Sequence, residues 1–476
     1  MITFILSVIA LILGFAVYGK VVEKVFGIDE NRTVPAIAKA DGFDYVAMPT
    51  WKAFLIQFLN IAGTGPIFGA IAGAMWGPAA FLWIVFGCIF GGAVHDFLIG
   101  MMSLRSDGAS LSVLVGENLG EVMKKVMIVF SVVLLLLVGV VFVSSPAGLL
   151  QTLTGINSWV FVIIILIYYM IATVLPIDKL IGKIYPLFGG ALFIMAFGII
   201  GGMCVNGMIT EIPELAWGNP HVNGTSIFPY LFISIACGAI SGFHATQSPM
   251  MARCIQNEKE GHKVFYGAMV AEGVVALIWA AAAMTFYGSL QGLADAGAAA
   301  VVVNEISTGL MGKVGMVLAV LGVVACPITS GDTAFRSLRL TVADSLKIDQ
   351  TKAINRYKIV VPVFAVAVAL LFIDFSVIWR YFAWSNQTLA CIALWAAATY
   401  LKKQGKNFWI PLLPAMFMTV VVTCYILIAA EGFGAMLLMA LGSVAVVETV
   451  GIVVGILLMI VLTAIFFKNG SRQSNS

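Results

Sequence analysis

The stretch "IFPYLFISIACGAISGFHATQSPMMARC" (227–254) begins as apolar as a membrane-spanning helix. It then places "SGFHATQSP" (241–249), with a glycine, three hydroxyls, a histidine, a glutamine and a proline, at what should be membrane depth. A helix in hydrocarbon satisfies its own backbone, and each unpaired N–H or C=O there costs several kcal/mol. Polar and helix-breaking residues belong at such depth only where the backbone leaves the helix and faces protein or a wet cavity. The stretch therefore predicts a spanning helix interrupted across Gly242–Pro249.

A second interruption has the same chemistry. In "FLNIAGTGPIFGAIAG" (58–73), Gly63, Thr64, Gly65 and Pro66 fall mid-span. Pro66 lacks an N–H and suits the start of a new half-helix, with Thr64 or Gly65 as its cap. Breaking a helix frees N–H groups at one half-helix end, which favour an anion such as a carboxylate. It frees C=O groups at the other end, which favour a cation. The two breaks thus nominate Gly63, Thr64, Gly65, Ser241 and Gly242 as a substrate site.

The rest of the 476 residues fit this setting. The chain is 61% hydrophobic and only 10% charged, with mean hydropathy +1.05, against roughly 25% charged residues in soluble domains. It reads as an all-α polytopic membrane protein. Candidate spans are 2–19, 54–76, 78–102, 123–143, 157–175, 184–207, 227–251, 266–288, 311–333, 357–373, 378–400, 409–430 and 438–467, the last long enough to include an interfacial part. The first has no basic region ahead of it and is followed by Lys20 and Lys24, which reads as a retained anchor rather than a cleaved signal.

Alternate loops hold 24 of the 26 Lys and Arg residues; the opposite side holds only Lys313 and Arg380. Under the positive-inside rule this predicts thirteen helices with the N-terminus outside and the C-terminus cytoplasmic, in the cell membrane. The two broken spans lie five helices apart and so cross in opposite directions. That predicts inverted repeats at 54–207 and 227–400, preceded by a helix and loop at 1–53 and followed by two helices and a tail at 409–476.

Several function classes drop out. No GxxxxGK[ST] is present to power a pump, and no HExxH to support a metalloprotease; the four histidines are far apart. The seven cysteines show no CxxC and read as small apolar residues rather than metal or disulfide partners. No enzyme activity, cofactor or nucleic-acid partner is implied, and the oligomeric state is left open. Inverted broken helices suit alternating access better than a channel. A transporter-like nutrient sensor is the rival from another class.

"TVPAIAKADGFDYVAM" (33–48), "IAGTGPIFGAIAG" (61–73), "GAVHDF" (92–97), "SLRSDGASL" (103–111), "FPYLFISIACGAISGFHA" (228–245) and "FAWSNQTLA" (382–390) resemble the carbon starvation protein A family. The resemblance runs from about Thr33 to Trp395. It implies an inverted 5+5 helix core of the amino-acid/polyamine/organocation (LeuT-like) type. It also implies import of peptides, or of pyruvate with protons. This chain is shorter than the better-known members. It carries Gln57 and Asn60 before the first break, where long members tend to have a histidine near position 57.

Ionisable residues inside a membrane are functional candidates by default. Asp96, carried by the family motif, and Glu272, at a family-like position, are candidate coupling carboxylates; the alternative is a structural pair with an arginine. Asp332, in "CPITSGDTAFRSLR" (326–339), is a third, or else the partner of Arg336 one turn on. The resemblance places Thr329 and Ser330 where sodium-coupled relatives offer hydroxyls to an ion shared with carbonyls of the first broken helix, so they are candidate Na⁺ ligands. His244 is a candidate for substrate or proton handling. Asn386 and Gln387 are either substrate donors or interhelical hydrogen bonds. The "DGFDY" loop (41–45) reads as a gate or a structural element. The sequence thus points to a secondary active transporter coupled to H⁺ or Na⁺. Its substrate is a small carboxylate such as pyruvate, or else short peptides or amino acids.

Overall fold

Runs of Leu, Ile, Val, Phe and Ala long enough to cross a bilayer leave the chain one way to satisfy its backbone, which is to wind into helices. The computed structural model, which describes residues 1–173, 177–350 and 352–471, is helical throughout with no strand among those residues. Nine described helices are long and apolar enough to span a membrane, and a bent pair makes a tenth. Expected spans 157–175, 227–251 and 378–400 are not among these. They are helical but shorter, broken or more polar, as Ser158–Ala172, as Tyr230–Ser234 with Gly242–Ala252, and as Phe375–Lys403. The expected span 311–333 continues past Ala299–Ala319 into Ala325–Leu346. The junction at 174–176 between two predicted spans, and the tail past 471, lie outside the described residues.

The first break stands where the Gly-Thr-Gly-Pro signal put it. Thr50–Ile61 ends at Ala62, Gly65–Gly73 begins anew, and the two halves diverge by 49°. The second does not. Tyr230–Ser234 is a short helix, the chain is irregular from Ile235 to Ser241, and Gly242–Ala252 is continuous helix with Pro249 inside it. The interruption expected at 242–249 therefore lies immediately upstream, in the apolar "IACGAIS". The polar residues of 242–248 are tolerated in helix because they face protein; all are buried. Pro249 lies eight positions into its helix without ending it.

The final expected span also divides, into Gly434–Leu441 and Val444–Ser471, with Gly442 at φ +71° between them. Gly312, at φ +59°, separates an outer helix from the span that carries Thr329 and Asp332. The exterior is studded with Leu, Ile, Val and Phe, among them Ile2, Leu6, Ile163, Phe197, Leu457 and Val461. That surface suits lipid rather than water.

Candidate functional site

The two breaks meet. A Cβ placed on Gly65 would lie 2.3 Å from Cys237 Sγ, so only glycine lets the first break come this close to the second. Gly238 stands 3.9 Å, measured the same way, from the Pro66 Cα. Gly63 is crowded by Phe142 at 2.8 Å and by the Ser330 hydroxyl at 3.2 Å. The breaks are thus one locus, packed backbone against backbone.

The loose ends of the second break are tied by side chains from other helices. Trp83 Nε1 donates to the Ile235 carbonyl at 3.1 Å, and Gln387 Nε2 to that of Phe232 at 3.1 Å. Asn386 Oδ1 accepts from the Ser241 hydroxyl at 3.0 Å and from the Phe243 N–H at 2.6 Å, which makes it the cap of the Gly242–Ala252 helix. Gly242 packs on the same helix, with its virtual Cβ 2.4 Å from the Asn386 carbonyl. Ser241, Gly242, Asn386 and Gln387 are brought together here, in contacts that build the break.

Around the first break the polar groups are less well satisfied. Gln57 Oε1, both polar atoms of Asn60 and Thr64 Oγ1 are buried with no hydrogen-bond partner among the described residues. On the facing helix Ser330 Oγ donates to the Leu59 carbonyl at 2.8 Å and to that of Cys326 at 3.0 Å. The hydroxyl and the half-helix carbonyl that were expected to share a cation are therefore adjacent. Thr329 Oγ1 donates to the Cys326 carbonyl at 2.7 Å. Both oxygens of Asp332, one turn from Thr329, are buried with no hydrogen-bond partner among the described residues.

The remaining candidates form a second cluster against the second break. Asp96 sits between two histidines, with Oδ1 2.8 Å from His95 Nδ1 and Oδ2 3.0 Å from His244 Nδ1. The other face of the His244 ring presents Nε2 to Glu272 Oε2 at 3.4 Å, outside hydrogen-bond geometry. All four side chains are wholly buried. Asp96 is paired with imidazoles here, not with an arginine. A π-helical turn precedes each of the helices that carry Asp96 and Glu272, at Gly87–Gly92 and His262–Tyr266. Such turns often occur at functional sites because they re-aim the residues that follow. Sequence spacing gave no hint of the pairing of Asp96 with a residue 148 positions away, nor of Cys237 at the contact between the breaks.

A groove of about 940 Å³ lies elsewhere. It is lined by Trp83, Phe86, Phe90, Trp409, Leu413 and Phe417 and shares no residue with either polar cluster. Its apolar walls suit an acyl chain.

With these groups in place the chain can be compared with known proteins. The profile of the family described as Carbon starvation protein CstA matches residues 1–160, 148–294 and 283–426. The chain belongs to this family. It is 45% identical, over 348 residues covering 62% of this chain and 94% of the other, to an uncharacterized membrane protein of Haemophilus influenzae. The peptide transporter CstA of Campylobacter jejuni is 30% identical over 336 residues, 56% of this chain and 47% of the relative. The pyruvate/proton symporter BtsT of Escherichia coli is 29% identical over 324 residues, 54% of this chain and 45% of the relative. The chain spans about half the length of the relatives named as transporters, and none of those names is an enzyme's.

Proposed function

We propose that this chain is a secondary active transporter that imports a small carboxylate such as pyruvate by symport with a cation, H⁺ or Na⁺. The core is an inverted pair, 54–207 and 227–400, oriented with the N-terminus outside and the C-terminus in the cytoplasm. The observation that carries the reading is the contact of two broken helices in the buried interior, Gly65 against Cys237. At the start of Gly65–Gly73, the first-turn N–H groups that helix geometry leaves over and the Thr64 hydroxyl, which has no partner among the described residues, suit a carboxylate. Beside them, Asn60 and Gln57 supply neutral donors and acceptors for a small polar ligand. Asp96, Glu272 and Asp332 supply the buried negative charge that a symported cation neutralises, with Ser330 and the Leu59 carbonyl offering oxygen ligands should that cation be Na⁺.

Transport of short peptides or amino acids is the second reading, favoured by the name of the Campylobacter jejuni relative. Uptake into proteoliposomes separates them. Labelled pyruvate and labelled di- and tripeptides are compared under inward H⁺ and inward Na⁺ gradients. The expected result is pyruvate accumulation that collapses when one of the two gradients is removed. Accumulation of peptides with no pyruvate uptake would replace the first reading with the second. Failure of every substrate under both gradients would leave the sensor as the better description.

A further inference from the structure

Cys237, His244 and Glu272 present a thiol, a ring nitrogen and a carboxylate oxygen whose candidate atoms all lie within 4.8 Å of one another, each side chain buried. The three come from different places: the irregular stretch of the second break, the first turn of the helix after it, and the helix of residues 267–286. Two of them have coordination capacity to spare. Neither Glu272 oxygen has a hydrogen-bond partner among the described residues, and neither does His244 Nε2. Leaving such groups unpaired in a buried site is costly, so their convergence calls for a ligand.

The orientation of the histidine narrows its chemistry. His244 Nδ1 is bound to Asp96 Oδ2 at 3.0 Å, which in turn aims Nε2 at Glu272. A carboxylate on one imidazole nitrogen with the other left free is how proteins orient a metal-binding histidine. The donor set of sulfur, nitrogen and one carboxylate suits a borderline divalent ion such as Zn²⁺, whereas Mg²⁺ and Ca²⁺ take oxygens. Bonds of about 2.0–2.3 Å put tetrahedral ligands about 3.3–3.8 Å apart. The His244–Glu272 separation of 3.4 Å already meets that figure, and Cys237 needs to close in by no more than about an ångström. Binding expels the thiol proton; thiolate and carboxylate together then balance the two positive charges in a core where an uncompensated charge is expensive.

We propose that Cys237, His244 and Glu272 form a three-ligand site for a divalent transition-metal ion of the Zn²⁺ type, with a fourth position open. An ion there would pin the second break to the Glu272 helix. Its effect on transport, an arrest, rests on the transporter reading; the binding itself does not.

The test uses the purified full chain in detergent, stripped of metal and titrated with Co²⁺ alone. The expected result is one ion per chain, with tetrahedral ligand-field bands and a thiolate-to-metal charge-transfer band. The variant Cys237→Ser should lose the charge-transfer band, Glu272→Gln should weaken binding at least tenfold, and Cys204→Ser, at an exposed cysteine, should change neither. A measurement on the unmodified chain guards against variants that do not fold. Zn²⁺ should raise its thermal unfolding temperature, and Mg²⁺ at equal concentration should not. No Co²⁺ binding by the wild type, a charge-transfer band that survives Cys237→Ser, or no difference between Zn²⁺ and Mg²⁺ would each overturn the site. Uptake by the wild-type chain with Zn²⁺ present then reports separately on the arrest.

Discussion

Gly65 shows how one missing methyl group sets the geometry of the interior. Alanine at this position would drive its Cβ to 2.3 Å from Cys237 Sγ and 2.5 Å from its Cβ, so the two breaks would have to part. Overpacking of this kind costs about 1–3 kcal/mol. Gly65→Ala should lower the thermal unfolding temperature in detergent and sharply reduce substrate uptake, and Gly65→Leu should abolish uptake while protein remains in the membrane. Removing the obstacle offers the control. Gly65→Ala combined with Cys237→Gly should recover part of the lost stability. If the double variant is no better than the sum of the single ones, the two breaks do not bear on each other here. At this scale the sequence was legible where a residue advertises itself by being out of place. Gly63, Thr64, Asp96, Glu272 and His244 were all legible as polar or flexible groups at membrane depth. What each one touches was not. The bridge from His95 through Asp96 to His244 joins helices far apart in the chain, and among the described residues no group reaches the buried polar atoms of Asn60 and Thr64.

The two broken helices illustrate why elements were only half readable. Gly-Thr-Gly-Pro breaks a helix from within, since two residues lower helix propensity and a third lacks the N–H, and the structure breaks there. In the second span the polar run 242–249 suggested unwinding, but its side chains are buried and bonded inside protein, and helix is the outcome. The actual break, Ile235–Ser241, is imposed by partners. Trp83 donates to one of its carbonyls, and Asn386 accepts the Ser241 hydroxyl and the Phe243 N–H at the start of the helix that follows. No local signal in "IACGAIS" beyond Gly238 announces that. If partners hold this element open, removing the chief one should be costly. Asn386→Ala deletes the cap and strands both the Phe243 N–H and the Ser241 hydroxyl, a loss of about 1–3 kcal/mol. Gln387→Ala, which removes one donor to the Phe232 carbonyl, should cost less. Thermal unfolding of the two variants side by side checks this. A larger loss for Gln387→Ala would mean that Asn386 is not what sets the break.

For the molecule as a whole, the charge pattern predicts a cytoplasmic position for the 41–45 loop, and the structure shows what the loop touches. Asp41 Oδ1 accepts the N–H groups of Phe43, Asp44 and Tyr45, curling the loop into a tight turn. The turn presents Asp44 to Arg336 and Arg339, each 3.4 Å away, and slides Phe43 under the Arg356 guanidinium at 3.4 Å. Tyr45 donates to the Asp107 carbonyl at 3.0 Å, and Arg253 Nε to that of Gly108 at 2.8 Å. One loop thus ties together the helices that carry Arg336, Arg339 and Arg356 and the turn after Ala93–Arg105, and we propose that this tie serves as a gate. Burial alone would raise the Asp44 pKa, but Arg339, Arg336 and Arg253 outweigh it and hold the carboxyl below its ordinary 3.8, with Asp344 and Arg356 the other charged groups acting nearby. A folded-state value below the unfolded one means that the stabilisation is fully present above the ordinary value and is lost as pH falls through the folded one. The clamp should therefore hold from neutral pH down to about 4 and release only below that. Asp44→Ala removes the partner of two buried guanidiniums, a change that costs about 3–5 kcal/mol when a buried ion pair is broken from one side. Limited proteolysis of inside-out vesicles reads the gate directly. The wild-type loop should resist cleavage at pH 7 and pH 5 alike, and Asp44→Asn should make it cleavable at both. A loop equally protected in that variant would show that the turn and Phe43 hold it without the charge, and Asp44 would not be the latch.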